Sequence, residues 1–222
     1  MLKYTKLVFN FFTYNKIIGF MNNSIEHFKN NTNKVNFISN LEFLHKMEFK
    51  IKEENYHLLS EVDKKHLENI KLNLHRIKRI QKTFKPNEEI KELISNIIKP
   101  QTWLVITEDW CGDSAQNAPY FFEYSKLNSL INFQIIQRDE NLELLESYFS
   151  SGNPKSIPKI IGFDNNGDEF FVWGARPKVA QDLVMQLKSE GFEKDEFNKK
   201  LHLWYGRNRG KELETEIIEL LK

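Results

Sequence analysis

Apolar residues settle into a helical rhythm after Ser60. Leu67, Ile70, Leu74 and Ile77 fall three and four apart, with Ile80 and Phe84 continuing the stripe, so they share one face of a helix. Ser60-Glu61-Val62-Asp63 supplies a hydroxyl cap and early acids at its start. Pro86 opens a second helix as a first-turn residue, with Ile90, Leu93, Ile94, Ile97 and Ile98 as its apolar face and Pro100 at its end. Residues 41–59 show only weak periodicity, and 21–40 are Asn/Lys-rich and read as loosely ordered.

The pattern changes after Pro100. Trp103-Leu104-Val105-Ile106 is a short continuous apolar run, the mark of a buried strand. A helix follows from Cys111 to about Leu127, then a strand holding Phe133, Ile135 and Ile136, then a helix over Glu140–Phe149 that Gly152-Asn153-Pro154 breaks. Ser156 to Phe163 is a strand entered through Pro158. Asp164-Asn165-Asn166-Gly167 signals a hairpin, read as a type I′ turn because Asn-Gly accepts positive φ. Glu169–Trp173 is the return strand. Helices then run from Pro177 to Lys188, through Phe197, Leu201 and Trp204, and through Leu213, Ile217 and Leu220. The order from 102 to 190 is β-α-β-α-β-β-α, an α/β fold with a mixed sheet whose helices cover both faces. Three parts are expected: an extension over 1–40 that is poorly ordered or lies upstream of the natural start, a helical extension over 41–100 packed on the core, and a main domain over 101–222.

Composition narrows the function class. The 222 residues are 40% apolar and 28% charged, which suits a soluble globular protein. Net charge is +1, but residues 1–100 carry 18 Lys and Arg against 11 Asp and Glu, and the rest carries 14 against 20. A basic half allows nucleic acid or an anionic surface as partner; a lysine-rich solvated helix face is the plainer reading, and no nucleic acid is expected. Charges interrupt every apolar run, so no membrane span is expected. Leu2–Phe20 is apolar and basic but lacks an unbroken signal core and a small-residue cleavage site, and both Met1 and Met21 stand open as starts. The six histidines show no metal-ligand spacing and read as surface or packing residues, and no phosphate-binding glycine loop occurs. Arg138 and Arg176 follow strand ends, where they hold a carboxylate or form ion pairs.

Chemistry points to one residue. Cys111 is the single cysteine, so the chain has no internal disulfide, multi-cysteine zinc site or two-thiol cycle, and a cytoplasmic, reducing compartment is expected. It sits where a strand hands over to a helix. Free N–H groups and the helix dipole there favour a thiolate and lower the thiol pKa, while Asp113, Glu108 and Asp109 oppose this by like charge.

Trp110-Cys111-Gly112-Asp113-Ser114 after an apolar strand resembles the Trp-Cys-x-x-Cys segment of the thioredoxin superfamily. Ser156-Ile157-Pro158, 47 residues beyond Cys111, is similar to that fold's cis-proline loop. The resemblance covers about 102–190. Thr107–Asp113, Arg138-Asp139, Ser156–Lys159, Trp173-Gly174-x-Arg176-Pro177 and Trp204-Tyr205 look closer still to a bacterial subgroup called thioredoxin family proteins. It implies a thioredoxin-like fold, with Cys111 as nucleophile, a groove formed by Trp110, Gly112, Asp113, Ile157 and Pro158, and the Ile157 backbone open to strand-like pairing. The departure is Ser114, which stands where the resolving cysteine would be and can donate a hydrogen bond to the thiolate.

Three functions follow from that departure. The first is monothiol exchange on protein or small-molecule thiols and disulfides, with no bound cofactor and with glutathione or another small thiol as resolver. The second is a non-catalytic thioredoxin-fold module that binds a partner through the Trp110/Pro158 groove or the basic 60–85 helix. The third rests on Cys111-Gly112-Asp113-Ser114, which resembles the motif of monothiol glutaredoxins that share an iron–sulfur cluster with glutathione. Asp113 there replaces the usual aromatic and disfavours an anionic cluster.

Overall fold

The structure, a computed structural model, describes residues 35–52, 56–142 and 155–222. The expectations for residues 1–34, most of the helix over 140–149 and the Gly152-Asn153-Pro154 break lie outside the described residues.

Helix α1 (Asn40–Ile51) forms where periodicity was weak. Ser39 and Glu42 make a reciprocal capping box, but the helix buries only Phe43 and Met47, one turn apart, too few to stand out as a stripe. A 3₁₀ turn (Tyr56–Leu58) leads to α2 (Glu61–Thr83), capped by Ser60, whose side chain accepts from Asp63 N–H. Its inward face is Ile70, Leu74, Ile77 and Ile80, joined by Asn73. In α3 (Glu88–Ser95) the cap is Asn87, whose side chain accepts from Ile90 N–H. Pro86 therefore lies before the helix and not in its first turn. The helix also stops short of Ile98, which is exposed.

Strand β1 (Gln101–Thr107) enters helix α4 (Gly112–Ser125) and returns as β2 (Ile131–Gln137), paired parallel to β1 with Trp103 opposite Phe133 and Ile106 opposite Ile136. Strand β3 (Lys159–Phe163) pairs antiparallel with β1, and β4 (Glu169–Gly174) antiparallel with β3, giving the order β2-β1-β3-β4. Ile38 and Ile135 exchange backbone hydrogen bonds of 2.9 and 3.0 Å, so the segment before α1 covers part of the β2 edge.

The hairpin differs from the type I′ reading. Gly167 N–H donates to Asp164 O, and Asp164 Oδ1 accepts from the N–H of Asn166 and Asp168. That side-chain clasp holds Asn165 and Asn166 at negative φ and leaves positive φ (88°) to Gly167 alone. The chain closes with α5 (Lys178–Ser189), α6 (Lys194–Asn208) and α7 (Lys211–Leu221).

Strand alternation splits the core. Trp103 and Val105 face one layer, where they meet residues of α1, α2, α4 and α7, including Met47, Ile77, Phe121, Tyr124 and Leu213. Leu104 and Ile106 face the other, with Ile136, Ile157, Ile161, Phe163 and Cys111. Ala180, Val184, Leu201 and Tyr205 lock α5 to α6. Among the described residues no helix is long and apolar enough to cross a membrane.

Candidate functional site

The site is built at the C-terminal end of β1. Glu108 and Asp109 follow the strand, and both are buried. Glu108 Oε1 accepts from Asp139 N–H at 2.7 Å and Glu108 O accepts from Cys111 N–H at 3.2 Å. Burial pushes the Glu108 carboxyl above its ordinary value, against the hydrogen bond from Asp139 N–H. Two residues of the N-terminal helices hold Asp109: Lys50 Nζ on its carboxylate and Asn73 Nδ2 on its carbonyl at 2.9 Å. The turn that presents the cysteine is thus pinned by α1 and α2.

Cys111 is the N-cap residue of α4, with extended backbone (φ −78°, ψ 114°) and no side-chain cap bond. Its thiol is buried and donates to Ile157 O at 3.4 Å. The Ile157–Pro158 peptide is cis, as is Gly174–Ala175. A side chain at Gly174 (φ 139°) would strike Pro158 O, so β4 seats the loop opposite the sulfur only because residue 174 is glycine.

Electrostatics at the sulfur run against the expected fall in pKa. Burial comes first and the Asp113 carboxylate second in pushing the thiol up. The Ser114 hydroxyl and the backbone N–H groups of Ser114 and Asp113 pull the other way and do not prevail. The helix terminus does supply donors, but burial outweighs them. Ser114 Oγ is itself buried and makes no hydrogen bond of ordinary geometry among the described residues, so its help to the anion is weak.

Asp113 is well furnished with partners. Arg176 Nη2 meets its Oδ2 at 2.7 Å, and Tyr205 OH donates to Oδ1 at 2.8 Å. Asn117 Nδ2 donates both to Asp113 O at 2.8 Å and to Tyr205 OH at 3.1 Å. Of the two roles open to Arg176, the structure shows the ion pair, inside the site. Trp110 lies at the rim, where the Arg138 guanidinium covers its ring at 5.0 Å and its Nε1 donates to Asp139 Oδ2 at 3.4 Å. Gly112 is covered by His202: a Cβ there would lie 2.8 Å from that imidazole.

All seven candidate residues (Trp110, Cys111, Gly112, Asp113, Ser114, Ile157 and Pro158) fall at this one junction of β1, α4 and the β3 entry. Sequence reasoning missed Lys50, Asn73, Asn117 and His202. Asn117 stands one helical turn after Asp113, and His202 three residues before Tyr205, so a helical-spacing search outward from those two positions finds both. Nothing local marks Lys50 or Asn73. His202, read as a surface or packing residue, is a packing residue at the site itself, held neutral: burial first, then the charges of Arg76 and Arg176, push its pKa down to about 4. Among the described residues no group of His, Cys, Asp and Glu is placed to hold a metal ion.

A family model described as thioredoxin matches residues 60–189. Among solved structures, one of a protein of unknown function from Pseudomonas aeruginosa superposes with a TM-score of 0.54 at 15% identity, covering 68% of this chain and 84% of that one. An HIV epitope-scaffold gives 0.51 at 15% identity, covering 83% of this chain and 98% of its own. These likenesses are of fold. No curated protein matches.

Proposed function

Because the chain belongs to the thioredoxin family, whose model spans residues 60–189, we propose that Cys111 performs monothiol thiol–disulfide exchange, with an external small thiol such as glutathione as resolver. The observation that carries this reading is the single sulfur at the start of α4, facing Ile157 O, with Ser114 where a second thiol would stand. The Cys111 thiolate attacks one sulfur of a substrate disulfide. The S–S bond breaks, the departing thiolate takes up a proton, and Cys111 is left in a mixed disulfide. A second thiolate from solution attacks that bond and returns Cys111 to its reduced form. Trp110, Gly112, Asp113 and Pro158 border the sulfur, and the Ile157 backbone offers strand-like pairing to an extended substrate. A reducing, cytoplasmic setting supplies the resolving thiol.

Incubating the reduced protein with oxidised glutathione and weighing it by mass spectrometry tests this. The expected result is one glutathione adduct on Cys111, removed by added glutathione and absent in Cys111→Ser. A protein that takes up no adduct at alkaline pH sinks the exchange reading.

A second reading, a non-catalytic binding module, draws on the buried thiol whose pKa is pushed up. It requires that Cys111→Ser leave partner binding intact while charge reversal on the α2 surface abolishes it.

A further inference from the structure

A cavity of about 510 Å³ opens between the end of α2 and the α6–α7 turn, with Tyr120 of α4 on its wall. Four cations line it: Arg79 and Lys85 from α2 and the strand-like segment after it, and Arg209 and Lys211 from the turn. Only one carboxylate, Glu214, stands against them, and Glu214 Oε1 is engaged by Asn87 N–H at 3.0 Å. None of the four cations forms an ion pair with a described residue. Arg79 leans on Gln116 Oε1 at a long 3.5 Å, which leaves most of its donors free.

The walls between the cations are aromatic. Phe84 and Tyr120 stand edge to face with centroids 4.6 Å apart, and Tyr205 adds a third ring. The turn is built tightly against them: a side chain at Gly210 would strike the Tyr120 ring. Arg209 holds a left-handed backbone (φ 54°) that glycine takes more easily, so backbone convenience does not explain an arginine at the rim. Helix α7 begins at this mouth while α2 and α6 end there, so the helix dipoles oppose one another and the positive field comes from the side chains.

Unpaired positive charge around an aromatic cavity in the size range of small-molecule sites calls for an organic anion. We infer that this cavity binds a phosphorylated small molecule with a planar ring, of mononucleotide size, its phosphate among Arg79, Arg209 and Lys211 and its ring against Phe84 and Tyr120. Guanidinium and ammonium groups together suit phosphate, and inorganic phosphate alone fills only part of the volume. None of the four cations borders the sulfur; Tyr205 is common to both places, its ring on the cavity wall and its hydroxyl on Asp113.

Isothermal titration of the full chain with adenosine 5′-monophosphate tests this, with inorganic phosphate and adenosine as the two half-ligands and Arg79→Glu and Arg209→Glu as variants. The expected result is saturable binding of the monophosphate that weakens with salt, at least about tenfold weaker for either half-ligand, and about tenfold weaker or more in each variant. Circular dichroism and thermal melts show that the variants remain folded. Absence of binding, phosphate binding as tightly as the nucleotide, or affinity unchanged in both folded variants overturns the proposal. Cys111→Ser leaves binding unchanged, so this result stands apart from any outcome of the glutathione experiment.

Discussion

At Cys111 the sulfur meets opposing influences within one turn of helix. Burial raises its pKa, Asp113 raises it further, and nearby donors offset only part of both. Burial is costly to vary without damaging the core, whereas the Asp113 charge can be removed alone. In Asp113→Asn the amide oxygen still accepts from Tyr205 OH, and Arg176 loses its carboxylate and turns its charge toward the sulfur. The thiol pKa of this variant falls below wild type, read as a shift of the alkylation-rate profile to lower pH. An unshifted profile means burial alone sets the value. The cysteine and the proline loop were legible from residue order, because a thiol at a strand–helix junction is a local pattern. The partners of Asp113 were not, because Tyr205 lies 92 residues away and only the fold brings them together.

Helix α2 illustrates how an element conveys stability to the site. Its buried face packs on α4 and β1, and its Asn73 holds the carbonyl of Asp109 two residues before the cysteine. Truncating Ile77 to Ala removes buried methyl groups and leaves a cavity that a two-sided helix contact closes poorly, at a cost of about 2–4 kcal/mol. The urea midpoint falls by that free-energy loss divided by the slope of the transition, and the slope is unchanged. This helix was readable from its 3.6-residue period and its serine cap. Helix α1 was not, since Phe43 and Met47 are its whole buried face, and the Asp164 turn was misread because a side-chain clasp, not the Asn-Gly pair, sets its geometry.

For the molecule as a whole, His202 couples folding to pH. Its folded pKa of about 4 lies below the ordinary value of 6.5, so between those pH values the unfolded chain binds more protons than the folded one. Stability on its account is fully present above pH 6.5 and is lost as pH falls toward 4, by up to about 3 kcal/mol. Chemical denaturation at a series of pH values reads this as a slope that His202→Gln flattens. An equal slope in both proteins shows that other groups carry the acid sensitivity. The β-α-β-α-β-β-α order was legible from strand runs and turn residues, whereas the clamping of the site from both ends of the chain was not, because it depends on α1 and α6 meeting the same turn. That clamp has a consequence for biosynthesis. Cys111 emerges from the ribosome 46 residues before the Ile157 carbonyl that accepts its hydrogen bond and 94 positions ahead of Tyr205, which steadies Asp113. Throughout the first of those intervals the nascent chain carries an open thiol, and the sulfur becomes sheltered only when the 157–163 segment that packs against it has been made.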